Sequence, residues 1–274
     1  MILITGADGQ LGQALARTCA TRGLCFEALS RRELDICDRK AVERLVKSNA
    51  FEAVINAAAY TAVDAAESRP WEAYAVNAYG PWLLAQTGVP ILHVSTDYVF
   101  DGKAHTPYET DAPARPLSMY GLSKRAGETA LLEGGFSGAI VRTAWVYDKR
   151  PGTKNFYQSI ARLARERSEL RVVSDQMGAP TLTDDLAQGL LELLAKGAHR
   201  RPMHLVHFTN AGVCSRFDFA RAIVEHLGLN CSVLPCATNE FPAPAARPAY
   251  SALSLESLAP YGITPRHWLD ALKE

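Results

Sequence analysis

Three glycines spaced three residues apart, directly behind the first apolar run, set the strongest limit on how this chain folds. The run Met1-Ile2-Leu3-Ile4 leads into Thr5-Gly6-Ala7-Asp8-Gly9-Gln10-Leu11-Gly12, and apolar residues then recur at helical spacing from Leu11 to Thr21. A strand, a tight glycine turn and a helix N-terminus in that order bring unsatisfied backbone N–H groups to one spot, where a pyrophosphate is favourably held. The spacing is G-x-x-G-x-x-G through Gly6, Gly9 and Gly12, not G-x-G-x-x-G, so the loop belongs to a variant of the dinucleotide turn.

Further strand-like runs follow at Cys25 to Leu29, Ala53 to Asn56, Ile91 to Ser95 and Ala139 to Arg142, with a helix expected over Arg39 to Asn49 behind an N-cap at Asp38. Strands alternating with helices predict an α/β fold of the Rossmann type, a doubly wound parallel sheet. After Trp145 the texture changes to longer helices, Asn155 to Arg167, Thr183 to Ala195 and Arg216 to Leu227, separated by proline-rich and polar connections. We therefore expect a dinucleotide-binding domain over 1–145, with later segments able to return to it, and a smaller C-terminal α/β lobe over 146–274 that binds substrate.

The 29 basic and 29 acidic side chains cancel, leaving no net field to draw nucleic acid or an anionic membrane surface, so an anionic ligand needs a local site. No basic leader or long apolar run is present and the six cysteines form no C-x-x-C pair, which points to a cytoplasmic protein with reduced thiols, and no metal-ligand pattern emerges.

At the end of the second strand, Ser30-Arg31-Arg32 stands where an acidic residue would hold the ribose of NAD. A hydroxyl and a guanidinium suit a 2′-phosphate, so NADP(H) is the expected cofactor, with NAD(H) the alternative. Asp35, ahead of Ile36, is a candidate for the adenine amino group or, equally, a turn cap. Ala57, Ala58, Ala59 and Tyr60 end the third strand with mostly small side chains, leaving room for a dinucleotide against the backbone.

Tyr120 and Lys124 lie at i and i+4, on one face of a helix. A phenol is a weak acid at neutral pH, and an ammonium beside it favours the phenolate; in reduction of a ketone Tyr120 would donate the proton to the developing alkoxide. Thr96, within Val94-Ser95-Thr96-Asp97, is the candidate to hydrogen-bond the carbonyl oxygen. Alone, each motif is as well explained by an amphipathic helix face or a strand-end turn; their order after the glycine loop raises the catalytic reading.

Longer segments carry a resemblance. Asn56 to Asp64 with Ala66-Glu67-Ser68, Ser95 to Gly102, and Tyr120-Gly121 leading to Lys124 are similar to signatures of the dTDP-4-dehydrorhamnose reductase family of extended short-chain dehydrogenases. The similarity continues through Arg142 to Tyr147, Asn155-Phe156, Asp175 to Thr181 and Arg247-Pro248. It implies that a reduced nicotinamide dinucleotide faces Tyr120 and Lys124, that Thr96, Tyr120 and Lys124 carry the reduction, and that the lobe holds dTDP-4-dehydro-L-rhamnose. By the same resemblance Trp145 packs against the sugar, Asn155 and Asp97 contact substrate, and Arg247 meets the diphosphate. It also raises magnesium, which maps to no ligand cluster in this chain, and a homodimer. The chain departs from the family between Asn77 and Pro90, where a helix is shortened. Rival readings are a reductase or epimerase of another nucleotide sugar, a regulatory subunit of the methionine adenosyltransferase type, and a dinucleotide-sensing module without turnover.

Overall fold

The computed structural model describes residues 1–274. Five parallel strands, β1 (Ile2–Thr5), β2 (Phe26–Leu29), β3 (Ala53–Asn56), β4 (Ile91–Thr96) and β5 (Gly138–Thr143), form the central sheet with a sixth, His204–His207. The order across the sheet is His204–His207, β5, β4, β3, β1, β2, with every pairing parallel. β1, β3 and β5 are buried along their whole length. That explains why they read as continuous apolar runs rather than alternating ones.

Helix α1 (Gln10–Thr21) lays Leu11, Ala14, Leu15 and Cys19 on one face of the sheet, and the Thr183–Ala195 helix packs beside it through Leu186, Leu190 and Leu193. Helix α2 (Arg39–Ser48), capped by the Asp38 carboxylate on the Ala41 N–H at 3.1 Å, covers the opposite face with Val42. Leu84 and Leu131 join Leu3, Val54 and Ile140 there. Burying each such leucine contributes about 1.5–3 kcal/mol, so both faces of the sheet are held mainly by apolar area.

The chain after Trp145 divides in two. The Thr183–Ala195 helix, the strand His204–His207 and the segment of Leu258, Tyr261 and Ile263 return to the first layer, while other parts build a separate core of Tyr147, Ile160, Phe219, Ile223 and Trp268. Here the Phe156–Glu166 and Arg216–His226 helices pack on a two-stranded parallel ribbon, Glu169–Val173 with Ser232–Cys236. Ser215 and Asp218 form a reciprocal capping box at the start of the second helix. In the segment where a shortened helix is expected, a π-helical turn Ala75–Tyr79 is followed by a helix of Gly80–Ala85. No helix is long and apolar enough to cross a membrane.

Candidate active site

The strand order reverses around β1, and the crevice outside the carboxyl ends of such strands is where open α/β sheets take ligands. A cleft of about 590 Å³ lies there, and it brings together Gly9, Gln10 and Leu11 of the glycine turn, Thr96 at the end of β4 and Asp97 just after it, Tyr120 and Lys124, and Trp145 of the lobe. A second hollow continues from Gly6 and Gly9 past Arg31, Asp35, Ile36 and the Ala57–Tyr60 segment.

The glycine turn fits a dinucleotide. Gly6 has φ +72°, and a Cβ built on Gly12 would stand 2.2 Å from the Gly6 carbonyl oxygen. Those two glycines let the turn close on itself and on β3, while at Gly9, the helix N-cap, no side chain caps the first turn of α1. Gln13 makes the first backbone bond of the helix, to Gly9; the N–H groups ahead of it remain for an anion.

At the far end of the hollow the residues divide their roles. The Ser30 N–H and hydroxyl both donate to Glu33, at 2.8 and 2.7 Å, so the hydroxyl is engaged by a carboxylate and Arg31 is the side chain that lines the hollow. Asp35 accepts the Cys37 N–H at 2.9 Å as a turn cap, and still lines the hollow beside Ile36. The Ala57–Tyr60 segment is tied to the Tyr120 helix by an unforeseen residue: buried Asn77 accepts the Tyr60 N–H and donates to the Tyr60 carbonyl and to Ser123 Oγ.

Strand alternation separates the two hydroxyls at the end of β4. Ser95 donates to Glu128 Oε1 at 2.7 Å, in a buried network where Arg142 forks onto the same carboxylate with two bonds of 2.8 Å. Thr96 donates to Asp97 Oδ1 at 3.1 Å and is the nearby hydroxyl that favours ionisation of Tyr120. Burial outweighs it and pushes the Tyr120 phenol well above its ordinary value, with Asp97 and Tyr98 acting in the same direction as burial. This differs from the expectation that Lys124 lowers the phenol: the lysine, 1% exposed, turns to His93 Nε2 at 3.2 Å and to the Val94 carbonyl at 2.7 Å. A phenol held protonated is nonetheless the form a proton donor needs.

Asp97 is buried, its Oδ2 has no hydrogen-bond partner, and burial pushes its carboxyl up to about 6. A buried carboxylate with one oxygen unsatisfied, beside the Tyr120 phenol, is costly to fold and suits a ligand rich in hydroxyls.

Across the cleft, Trp145 is the one residue other than glycine with a positive φ, +49°. That backbone costs about 1–3 kcal/mol and persists where its surroundings fix it. Here a Cβ on Gly178 would meet the indole at 2.6 Å, and the Arg216 guanidinium lies 3.6 Å from the ring centroid on the cleft side. Arg216 was not foreseen. It opens a helix behind Ser215, where nothing in the sequence distinguishes it from a surface arginine, yet it lines both the main cleft and an adjoining one that also contains Arg247.

Two expected substrate contacts sit outside the main cleft. Asn155 caps the Phe156–Glu166 helix through the Gln158 N–H and donates to Gln10 Oε1, the Asp148 carbonyl and Thr153 Oγ1, which occupies its amide hydrogens and leaves one lone pair of Oδ1. Arg247 forks onto Asp64, at 2.8 and 3.2 Å, so a phosphate would have to compete with that carboxylate.

Comparison with known proteins agrees with this geometry. The family model described as the RmlD substrate binding domain matches residues 1–274. The chain is 45% identical to the dTDP-4-dehydrorhamnose reductase of Mycobacterium tuberculosis, covering 99% of this chain and 90% of that protein. It is 40% identical to the spore coat polysaccharide biosynthesis protein SpsK of Bacillus subtilis, over 100% and 95%. Among solved structures, the dTDP-4-dehydrorhamnose reductase of Bacillus anthracis in complex with NADP superimposes with a TM-score of 0.93 at 35% identity, covering 99% of this chain and 96% of the other.

Proposed function

The chain belongs to the family of the RmlD substrate binding domain, and from that premise we propose that it reduces the 4-keto group of dTDP-4-dehydro-L-rhamnose to give dTDP-L-rhamnose, using NADP(H). The observation that carries the reading is the meeting of Thr96, Tyr120 and Lys124 with the uncapped glycine turn in one cleft. The reduced nicotinamide supplies the hydride. The remaining work falls to the chain's own side chains. The Thr96 hydroxyl and the protonated Tyr120 phenol face the carbonyl oxygen, and the phenol gives up its proton as charge develops there.

Asp97 accepts from a sugar hydroxyl, and Trp145, stiffened by Gly178 and Arg216, offers the sugar a flat apolar wall. Arg216, free of any carboxylate partner within hydrogen-bonding reach, is better placed for the diphosphate than Arg247, which is held by Asp64. On the cofactor side Arg31 meets the 2′-phosphate of NADP(H). The enzyme works in the cytoplasm on a soluble sugar nucleotide.

The test is oxidation of NADPH by the purified protein with dTDP-4-dehydro-L-rhamnose generated in place, against NADH and a control without sugar. Turnover with NADPH supports the reading. Binding of NADPH without turnover moves the assignment to another nucleotide sugar, and absence of binding favours a non-enzymatic protein.

A further inference from the structure

His93 is wholly buried on β4, and both of its ring nitrogens are engaged. Nδ1 lies 3.0 Å from Asn56 Nδ2 and Nε2 lies 3.2 Å from Lys124 Nζ. The orientation of Asn56 is not free: its Oδ1 accepts the Ala58 backbone N–H at 3.2 Å and the Thr5 hydroxyl at 2.6 Å. A backbone N–H only donates, so Oδ1 must be the acceptor and Nδ2 must present its hydrogens to the imidazole. His93 Nδ1 is therefore the bare nitrogen, and a neutral ring carries its proton on Nε2, pointing at the lysine.

An ammonium has three donors and no lone pair, so it cannot accept that N–H; an amine can. We propose that His93 is a positioning residue for Lys124: Asn56 fixes the imidazole as its Nε2–H form, and this N–H grips the lone pair of an uncharged lysine while the lysine donates to the Val94 carbonyl. The proposal deepens the reductase reading, which gives Lys124 its place in the reaction. It makes the proton on Lys124 conditional on the His93 contact opening.

The surroundings agree in sign. Burial pushes His93 well below its ordinary value, with Lys124 acting in the same direction, which keeps the ring neutral. Burial also takes Lys124 down to about 8, opposed by Glu128 one turn further along the helix. That carboxylate is already held by Arg142 from β5 and by Arg125. From the turn after β4, Asp97 and Tyr98 act on Tyr120, and Glu67 caps the helix at the Met119 N–H. None of these gives Nζ a carboxylate within hydrogen-bonding distance. The chain of bonds ends in the Asn56 amide, which exchanges no proton on the timescale of turnover, so it holds the lysine and does not conduct protons.

The decisive variant is Asn56→Asp. A carboxylate can still accept from Ala58 and Thr5, but towards His93 it offers only lone pairs, which reverses the imidazole to its Nδ1–H form and turns Nε2 into an acceptor for a charged lysine. Imidazole ¹⁵N–¹H spectra of the protein without sugar, with His93 assigned by its loss in His93→Gln, read the tautomer directly. The ¹³Cε titration of Lys124, assigned against Lys124→Met, reads the charge. We expect Nε2–H in the natural protein with a Lys124 midpoint lowered to about 8, so that the uncharged, gripped lysine prevails above that pH, and Nδ1–H in Asn56→Asp with the midpoint raised by roughly one pH unit or more. The alkaline limb of kcat should move by the same amount. An Nδ1–H ring in the natural protein, or a lysine midpoint that Asn56→Asp leaves in place, overturns the proposal. Should Asn56→Asp not fold, the natural protein's tautomer and lysine midpoint decide alone. Since these spectra need no turnover, they fail or succeed separately from the choice of substrate.

Discussion

The two walls of the cleft offer a ligand different kinds of groups. On the wall formed by β1, α1 and the end of β3, the groups offered are backbone: N–H donors at the start of α1 and a surface kept low by Gly6, Gly9, Gly12 and three alanines. On the lobe wall the groups are side chains from scattered places, Trp145 after β5 and Arg216 at a helix start, with Gly178 of a two-residue strand packed against the indole. Backbone recognition needs a contiguous stretch of chain with particular small residues. Side-chain recognition needs only that distant residues arrive at one point. The first kind constrains sequence locally and the second constrains only the fold.

Between the walls stands Tyr120, the proposed proton donor, and its removal is the largest effect we expect. Tyr120→Phe deletes one hydroxyl, which makes no hydrogen bond to another part of the protein whose loss would unsettle the fold, so turnover should fall by about 10²–10⁴. NADPH affinity, measured by fluorescence titration, should change less than twofold. A residual rate within tenfold of the natural protein would remove Tyr120 from its role.

Gly12→Ala tests the backbone wall. Its Cβ would lie 2.2 Å from the Gly6 carbonyl oxygen and 2.8 Å from Ala7 Cα, both main-chain atoms with nowhere to go. The turn must open, at a cost of about 1–3 kcal/mol seen as a lower Tm, and NADPH binding should fail with it. If the variant bound NADPH normally, the close approach of α1 to the turn would not be what shapes the site.

Arg216→Leu is the matching test on the lobe wall. Losing the guanidinium removes the cation over Trp145 and the proposed partner of the diphosphate, so KM for the sugar nucleotide should rise about tenfold, near 1.4 kcal/mol, with cofactor affinity untouched. A change in NADPH affinity of the same size would mean that the two walls are not separable in the way drawn here.

Asp97→Asn sets function against stability. Burial raises this carboxyl to about 6, and a group whose folded value lies above its unfolded one loses stability as pH rises between the two. The asparagine variant should therefore be more stable at pH 8 than the natural protein, by about 1–2 kcal/mol, and gain nothing near pH 3. Activity should move the opposite way: kcat/KM of the natural protein falls as pH drops through about 6, and the variant should lack this limb and run lower throughout. If variant and natural protein had equal thermal stability at both pH values, the fold would not be raising the Asp97 carboxyl above its unfolded value.

The same contrast accounts for what the sequence disclosed. The five sheet strands from Ile2 to Thr143 fall within two residues of where apolar runs place them, and Asp38 caps α2 as its position suggests. These features depend on near neighbours in the chain. The sixth strand, His-Leu-Val-His, carries too little apolar signal to stand out, and only its parallel pairing with β5 explains its place. Arg216 carries no local signal that separates it from a surface arginine, and Asn155, expected at the substrate, stands just before an amphipathic run, the ordinary place of an N-cap, which it also is. Tyr120 and Lys124 do share a helix face, but spacing shows that two side chains are neighbours and not which way the ammonium turns. His93 decides that, and nothing about a histidine in an apolar strand announces it.

The smallest expected effect lies at the outer edge of the backbone wall, where a side chain does enter. Ser30 is bonded to Glu33 through both its N–H and its hydroxyl, so of the Ser30-Arg31 pair only Arg31 is free to meet a 2′-phosphate, and it would do so from an exposed position where solvent screens the charge. Exposed pairs of this kind contribute about 1 kcal/mol or less, so Arg31→Ala should weaken NADPH by roughly fivefold and leave NADH unchanged. The preference should also shrink as salt is added, since the Debye length falls from about 10 Å at 0.1 M to 3 Å at 1 M. Equal losses for NADPH and NADH would assign Arg31 to the adenosine rather than to the phosphate, and the backbone wall would then recognise its ligand without help from any charged side chain.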